Sequence, residues 1–180
     1  MITTISPSYT AFKDLFVFTL NSFTDDRGFF REVSNQEVFD LVLPKNIPFV
    51  QDNESFTKKN VLRGLHFQRQ PHAQGKLVRV ISGKVQDIVV DLRPESSTFK
   101  KYFEVILDGS NMMYVPPGFA HGFLALEDSF FHYKCTNFYN PQSEGGILWN
   151  DTDLNLPWKI KNPQVSSRDQ KWLNLSNTVL

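Results

Sequence analysis

The feature that most constrains this fold is a series of short apolar segments set between turn signals. They run Leu15 to Leu20, Leu77 to Ile81, Val85 to Leu92, Tyr102 to Leu107, Met112 to Val115, Phe123 to Leu126 and Phe130 to Cys135. Regular short segments of this kind predict an all-β sandwich or barrel. Seventeen phenylalanines, with the valines and isoleucines, push the same way, because aromatic and β-branched side chains suit half-buried strands. In Val85 to Arg93, alternation puts Gln86, Ile88, Val90 and Leu92 on one face and Val85, Asp87, Val89 and Asp91 on the other. Both faces are mixed, so the pattern does not say which is interior.

Helix signals are scarce. Ser34 with Glu37 three residues on resembles a capping box, and Val38, Phe39, Leu41 and Val42 supply an apolar stripe that Pro44 ends. A second short helix is expected through SSRDQKWL, Ser166 to Leu173. No repeat, linker or low-complexity tract divides the chain, so its 180 residues are read as one domain, 1–180, around one core. The tail from Asn150 onward carries Trp158 and Trp172, poor choices for a disordered segment, and is expected to fold back onto the barrel.

Nineteen basic residues balance nineteen acidic ones, which removes a global field for nucleic acid or anionic membrane and leaves room only for a local basic pocket. The single cysteine, Cys135, excludes an intramolecular disulfide and a multi-cysteine metal site and fits a reducing compartment; cytoplasm is the expected location. The opening MITTISPSYTAFKDLFVFTL shows no basic leader region or cleavage site, and no apolar run reaches the length of a bilayer span.

Chemistry concentrates in three stretches: RGLHFQ (Arg63 to Gln68), QGKLVRV from Gln74, and PPGFAHGF (Pro116 to Phe123). They bring His66, Lys76 and His121 into β-type sequence bordered by glycine. Histidine can act as a base near neutral pH, and a lysine can hold the oxyanion formed when a C–H proton leaves, so proton transfer is the chemistry suggested. On a flat strand Arg63 and His66 would face opposite sides; a bulge at Gly64 would turn both inward. Each histidine also has an ordinary reading as a hydrogen-bonded strand residue, and Tyr133, within FFHYKCT, one as a core aromatic. DDRGFFRE puts Arg27 at a tight turn beside Phe29 and Phe30, and QDNES, Gln51 to Ser55, reads as a polar loop whose amides suit a nucleobase or sugar edge. The four histidines, His66, His72, His121 and His132, form no HxH pair and no HExxH helix, so no catalytic metal is expected. Neither GxGxxG nor a phosphate loop occurs.

Taken together, DDRGFFRE, FVQDNESFTKKNVLRGLHFQ, AQGKLVRV, GKVQDIVVDLRPESSTF, YVPPGFAHGFLAL, YKCTNFYNPQSEGGILWND and the final SSRD resemble the dTDP-4-dehydrorhamnose 3,5-epimerase family over about Leu15 to Asp169. The resemblance implies a cupin-type jelly-roll β-sandwich without metal or other cofactor, homodimeric through exchanged N-terminal strands. It implies a substrate, dTDP-4-dehydro-6-deoxy-D-glucose, whose C3 and C5 protons flank a C4 ketone. By motif match His66 resembles the general base, oriented by Asp169, and Tyr133 the acid on the opposite face; Lys76 would sit at the C4 oxygen. His121, with Asp87 as its carboxylate partner, would complete the polar lining. Arg27, Phe30, Glu32, Gln51, Asn53, Arg63, Tyr139, Glu144 and Arg168 fall on substrate-binding positions. Tyr139 would stack on thymine, and Arg27, Phe30 and Glu32 would come from the neighbouring subunit. Three positions depart from the family pattern: Arg168 stands where lysine is common, Phe138 where tyrosine is common, and Gln86 where an apolar residue is usual. The rival readings are an epimerase of C3 or C5 alone, a metal-dependent cupin, and a binding module without catalysis.

Overall fold

The computed structural model describes residues 4–44 and 47–180; residues 1–3, part of the opening segment considered above for a leader, and 45–46 lie outside the described residues. In chain order the strands are β1 (Ile5–Tyr9), β2 (Phe16–Leu20), β3 (Ser22–Asp25), β4 (Gly28–Arg31), β5 (Gln51–Thr57), β6 (Val61–Gln68), β7 (Lys76–Ser82) and β8 (Val85–Asp91). They continue as β9 (Tyr102–Leu107), β10 (Asn111–Val115), β11 (Phe119–Ala125), β12 (Ser129–Cys135), β13 (Glu144–Gly146) and β14 (Gln164–Val165), with one α-helix among the described residues, α1 (Gln36–Val42). Each of the seven apolar segments lies on a strand. One sheet runs β1-β2-β10-β7-β12-β5 and the other β13-β6-β11-β8-β9, with β14 parallel to β6; β3 and β4 form a separate hairpin. This is the sandwich the strand pattern predicts, in the jelly-roll form that the family resemblance implies.

Apolar side chains fill the space between the sheets: Val78 and Val80 of β7, Met113 and Val115 of β10 and Phe131 of β12 meet Val85 and Val89 of β8 and Phe119 and Phe123 of β11. The outer faces are covered as well. Phe39, Val38 and Val42 of α1 pack on Phe18, Leu77, Met112 and Tyr114. On the other side the tail lays Leu154, Leu156, Trp158 and Leu175 over Leu65, Phe67, Val90, Leu92 and Ala120. This explains the mixed faces of β8, which is buried along its whole length. Val85 and Val89 face the core, while Gln86 looks out under the tail, donating to Pro157 O at 2.8 Å and accepting from Lys159 N at 2.8 Å. The tail is fixed through Asp151, whose buried carboxylate accepts from the backbone N–H groups of Asp153, Leu154 and Leu175.

Several local expectations need correction. The helix cap is Asn35, not Ser34: its extended backbone and side-chain oxygen, which accepts from the N–H groups of Glu37 and Val38, make the N-terminal turn. Leu41 is not part of the buried stripe; it is 82% exposed, on the side of α1 away from the sheet. SSRDQKWL forms only a single 3-10 turn, Asp169–Lys171. QDNES is not a loop but most of β5, an edge strand. No helix among the described residues is long and apolar enough to cross a membrane.

Candidate active site

A cavity of about 550 Å³ opens between the two sheets, and a recess of about 300 Å³ continues from it. His66, Lys76, Tyr133 and Arg168 line both. His66 comes from β6 in one sheet, Lys76 and Tyr133 from β7 and β12 in the other, so the imidazole and the phenol belong to opposed walls of one space.

The bulge expected at Gly64 creates the β6 wall. His121 pairs with His66 and Phe123 with Arg63, so two steps along β11 match three along β6. Gly64 has φ +125°, and a side chain there would strike the backbone of Gly122 and His121. The extra residue turns Arg63 and His66 to the same side, and both line the cavity. Arg63 is held at its rim by Thr57 Oγ1 (3.0 Å) and Phe56 O (3.3 Å).

Two histidine–aspartate pairs stand side by side on that wall. His66 Nε2 is 2.7 Å from Asp169 Oδ1, and Gly64 N–H donates to Asp169 Oδ2 at 3.3 Å. Burial pushes the Asp169 carboxyl up, but the His66 hydrogen bond and charge, the Gly64 N–H and the nearby Arg168 outweigh it and hold the group at about 2. An ionised carboxylate can only accept, so Nε2 carries the hydrogen and Nδ1 keeps the free lone pair. His121 Nε2 lies 2.9 and 3.0 Å from the two oxygens of Asp87, which is fully buried, and its ring stacks on Phe131.

The opposite wall follows from strand alternation. Phe131, Tyr133 and Cys135 of β12 face inward, while Lys134 pairs with Asp52 outside. Burial, then the neighbouring Cys135, raises the Tyr133 phenol above its ordinary value against the opposing Arg63, which keeps it a proton donor. Burial lowers the Lys76 ammonium, with Cys135, Glu144 and Asp87 opposing. A negative charge developing beside Lys76 would supply the countercharge that burial withholds. On β5 the same alternation aims Gln51, Asn53 and Ser55 at the cavity.

The recess is a polar network. Tyr139 N–H donates to Gln51 Oε1 (2.9 Å), Gln51 Nε2 to Asn53 Oδ1 (2.9 Å) and Asn53 Nδ2 to Cys135 Sγ (3.6 Å). Tyr139 Oη donates to Glu144 Oε2 (2.9 Å), which also accepts from Arg168 Nη1 (3.2 Å). Buried Gln68, which sequence reasoning passed over, clamps this loop through His72 O, Phe138 O and Asn140 N–H. Also unanticipated were Phe131, two positions before Tyr133 and hence on its face, and Gln164 to Ser167, which line the cavity beside Arg168 and Asp169.

Arg27, Phe30 and Glu32 do not join this cavity. Arg27 and Phe30 lie on the β3–β4 hairpin, where Arg27 pairs with Asp25 and Phe29 and Phe30 are 66% and 70% exposed; Glu32 accepts from Thr4 Oγ1 and Asn35 Nδ2. Among the described residues no three His, Cys, Asp or Glu side chains converge as a metal site.

The sequence pattern of the dTDP-4-dehydrorhamnose 3,5-epimerase family matches residues 9–177. A dTDP-4-dehydrorhamnose 3,5-epimerase from Salmonella typhimurium is 48% identical over 164 residues, 89% of this chain and 90% of that one. The crystal structure of a dTDP-6-deoxy-D-glucose-3,5-epimerase from Legionella pneumophila in complex with dTDP-4-keto-L-rhamnose superposes with a TM-score of 0.91 at 38% identity, covering 96% and 94% of the two chains. A 3′-monoepimerase from Streptomyces bikiniensis in complex with dTDP-quinovose gives 0.87 at 27% identity, covering 93% and 86%.

Proposed function

Because the chain belongs to the dTDP-4-dehydrorhamnose 3,5-epimerase family, we propose that its cavity inverts carbons on both sides of one sugar ketone using groups on opposed walls. The protein is an isomerase that converts dTDP-4-dehydro-6-deoxy-D-glucose to dTDP-4-dehydro-L-rhamnose. The observation that carries the mechanism is the pairing of His66 and Tyr133 across a single cavity that Lys76 also lines.

His66 Nδ1 takes the proton from C3 or C5, and the C–H electrons pass to the C4 oxygen as an enolate. Asp169 stabilises the imidazolium that results, and the Lys76 ammonium stabilises the enolate. The Tyr133 hydroxyl then delivers its proton to the other face of the carbon, and solvent restores both side chains. One residue cannot serve both faces, which is why the donor comes from the other sheet. Tyr139 and Glu144, with Gln51, Asn53 and Arg63, hold the nucleotide, and His121 lines the sugar site.

The exposed hairpin supports a homodimer in which Arg27, Phe30 and Glu32 complete the neighbour's cavity, since apolar rings left this open favour a partner. A single domain suffices for this chemistry, and the unpaired Cys135 suits the cytoplasm. Turnover in D₂O tests the reading: deuterium is expected at both C3 and C5 of the product. Label at one carbon only would reject the double inversion in favour of a single-site epimerase.

A further inference from the structure

We propose that Trp172 is a positioning residue for the base, fixing the plane of the His66 ring from behind. The inference rests on His66 being the base, as proposed above.

The imidazole reorients by rotation about Cβ–Cγ, and Nε2 lies close to that axis, so the one hydrogen bond to Asp169 resists the rotation only weakly. A second contact off that axis is needed, and the structure supplies it. The cross-strand partner of His66 on β13 is Gly146, which has no side chain to brace the ring. The Trp172 indole occupies that place: a Cβ on Gly146 would come within 2.3 Å of its Cε2 and 2.5 Å of its Nε1. Its ring meets that of His66 at 6.4 Å between centroids and 67° between planes, an edge contact.

Trp172 is itself held on both sides. It closes the 3-10 turn that begins with Asp169, and the next residue is tied to the strand side by Leu148 N–H donating to Leu173 O at 2.9 Å. The same turn therefore delivers both the carboxylate that sets the tautomer and the indole that sets the orientation. Trp172 lines neither part of the cavity, so it acts through His66 and not on substrate. Its Nε1–H is buried with no partner, which marks the ring, not the polar atom, as the useful part.

The test compares the full-length wild type, Trp172→Phe, Trp172→Leu and His66→Gln by steady-state kinetics on dTDP-4-dehydro-6-deoxy-D-glucose, with thermal midpoints recorded. Phenylalanine keeps a ring edge and drops the unpaired donor, so kcat should stay within about threefold of wild type, whereas leucine should lower kcat about tenfold to a hundredfold with KM changed less than about twofold. Emission that is present in the wild type and missing from Trp172→Phe should fall as His66 protonates, a pH dependence absent from His66→Gln. This signal reads the contact even if the leucine variant folds poorly. Leucine at wild-type kcat, or an indole signal indifferent to His66, would overturn the proposal while leaving the base assignment intact. Wild-type turnover by His66→Gln would instead overturn the base assignment itself.

Discussion

Asp169 and Asp91 are both buried, both lowered from an ordinary value of 3.8 to about 2, and built for different purposes. Burial pushes Asp91 up, but Arg93 grips both its oxygens with side-chain bonds of 2.8 Å and adds a backbone N–H, and the hydroxyls of Ser96 and Thr98 donate to Oδ2 at 2.6 and 2.7 Å. Its partners never change charge, and the cluster pins the loop after β8. Asp169 has a backbone N–H, a more distant Arg168 at 3.6 Å, and one partner that can gain or lose a proton, His66. A lowered carboxyl does not mark a catalytic site by itself. The distinguishing property is a titratable partner facing a cavity.

The comparison breaks most visibly at His66. His66→Gln should reduce kcat by about 10⁴-fold, the upper end for a general base, with little change in the denaturation midpoint. Asp169→Asn should cost about 10²-fold in kcat, because the amide can present its NH₂ to Nε2 and hold the wrong tautomer; steady-state kinetics measures both. Asp91→Asn should behave oppositely, leaving kcat unchanged while urea unfolding records a loss of about 2 kcal/mol, since the buried charge that the half-buried Arg93 guanidinium pairs with is gone. If Asp91→Asn slowed turnover and Asp169→Asn only destabilised, the division of roles would be wrong.

The pH dependence sharpens the same contrast by a smaller amount. Both carboxyls are depressed in the folded state, so their contribution is fully present above about pH 4 and is lost as pH falls toward about 2. Acid unfolding of wild type should steepen in that window, and Asp91→Asn should remove roughly half of the steepening.

How far the sequence disclosed this molecule depended on where water and cavity lie. Segments packed on apolar neighbours, such as Tyr102 to Leu107 and Phe130 to Cys135, announced themselves as strands. β5 did not, because Gln51 and Asn53 face the polar recess and Ser55 the cavity while Asp52 and Glu54 point away, so the strand lacks any hydrophobic alternation. The bulge at Gly64 was readable because one side chain too many had to face inward. Asn35 displaced Ser34 as the cap because both residues can accept, and only the backbone path decides between neighbours. Trp172 carried no signal for its contact with His66, which depends on a turn placed over a bare glycine far away in sequence.

The central claim is that His66 and Tyr133 work on opposite faces of one ring, and Tyr133→Phe in D₂O tests it most directly. With the base intact and the opposite donor gone, deuterium should wash into recovered substrate with configuration retained while epimerised product falls about 10²-fold or more. Inverted, labelled product formed at the wild-type rate would contradict it.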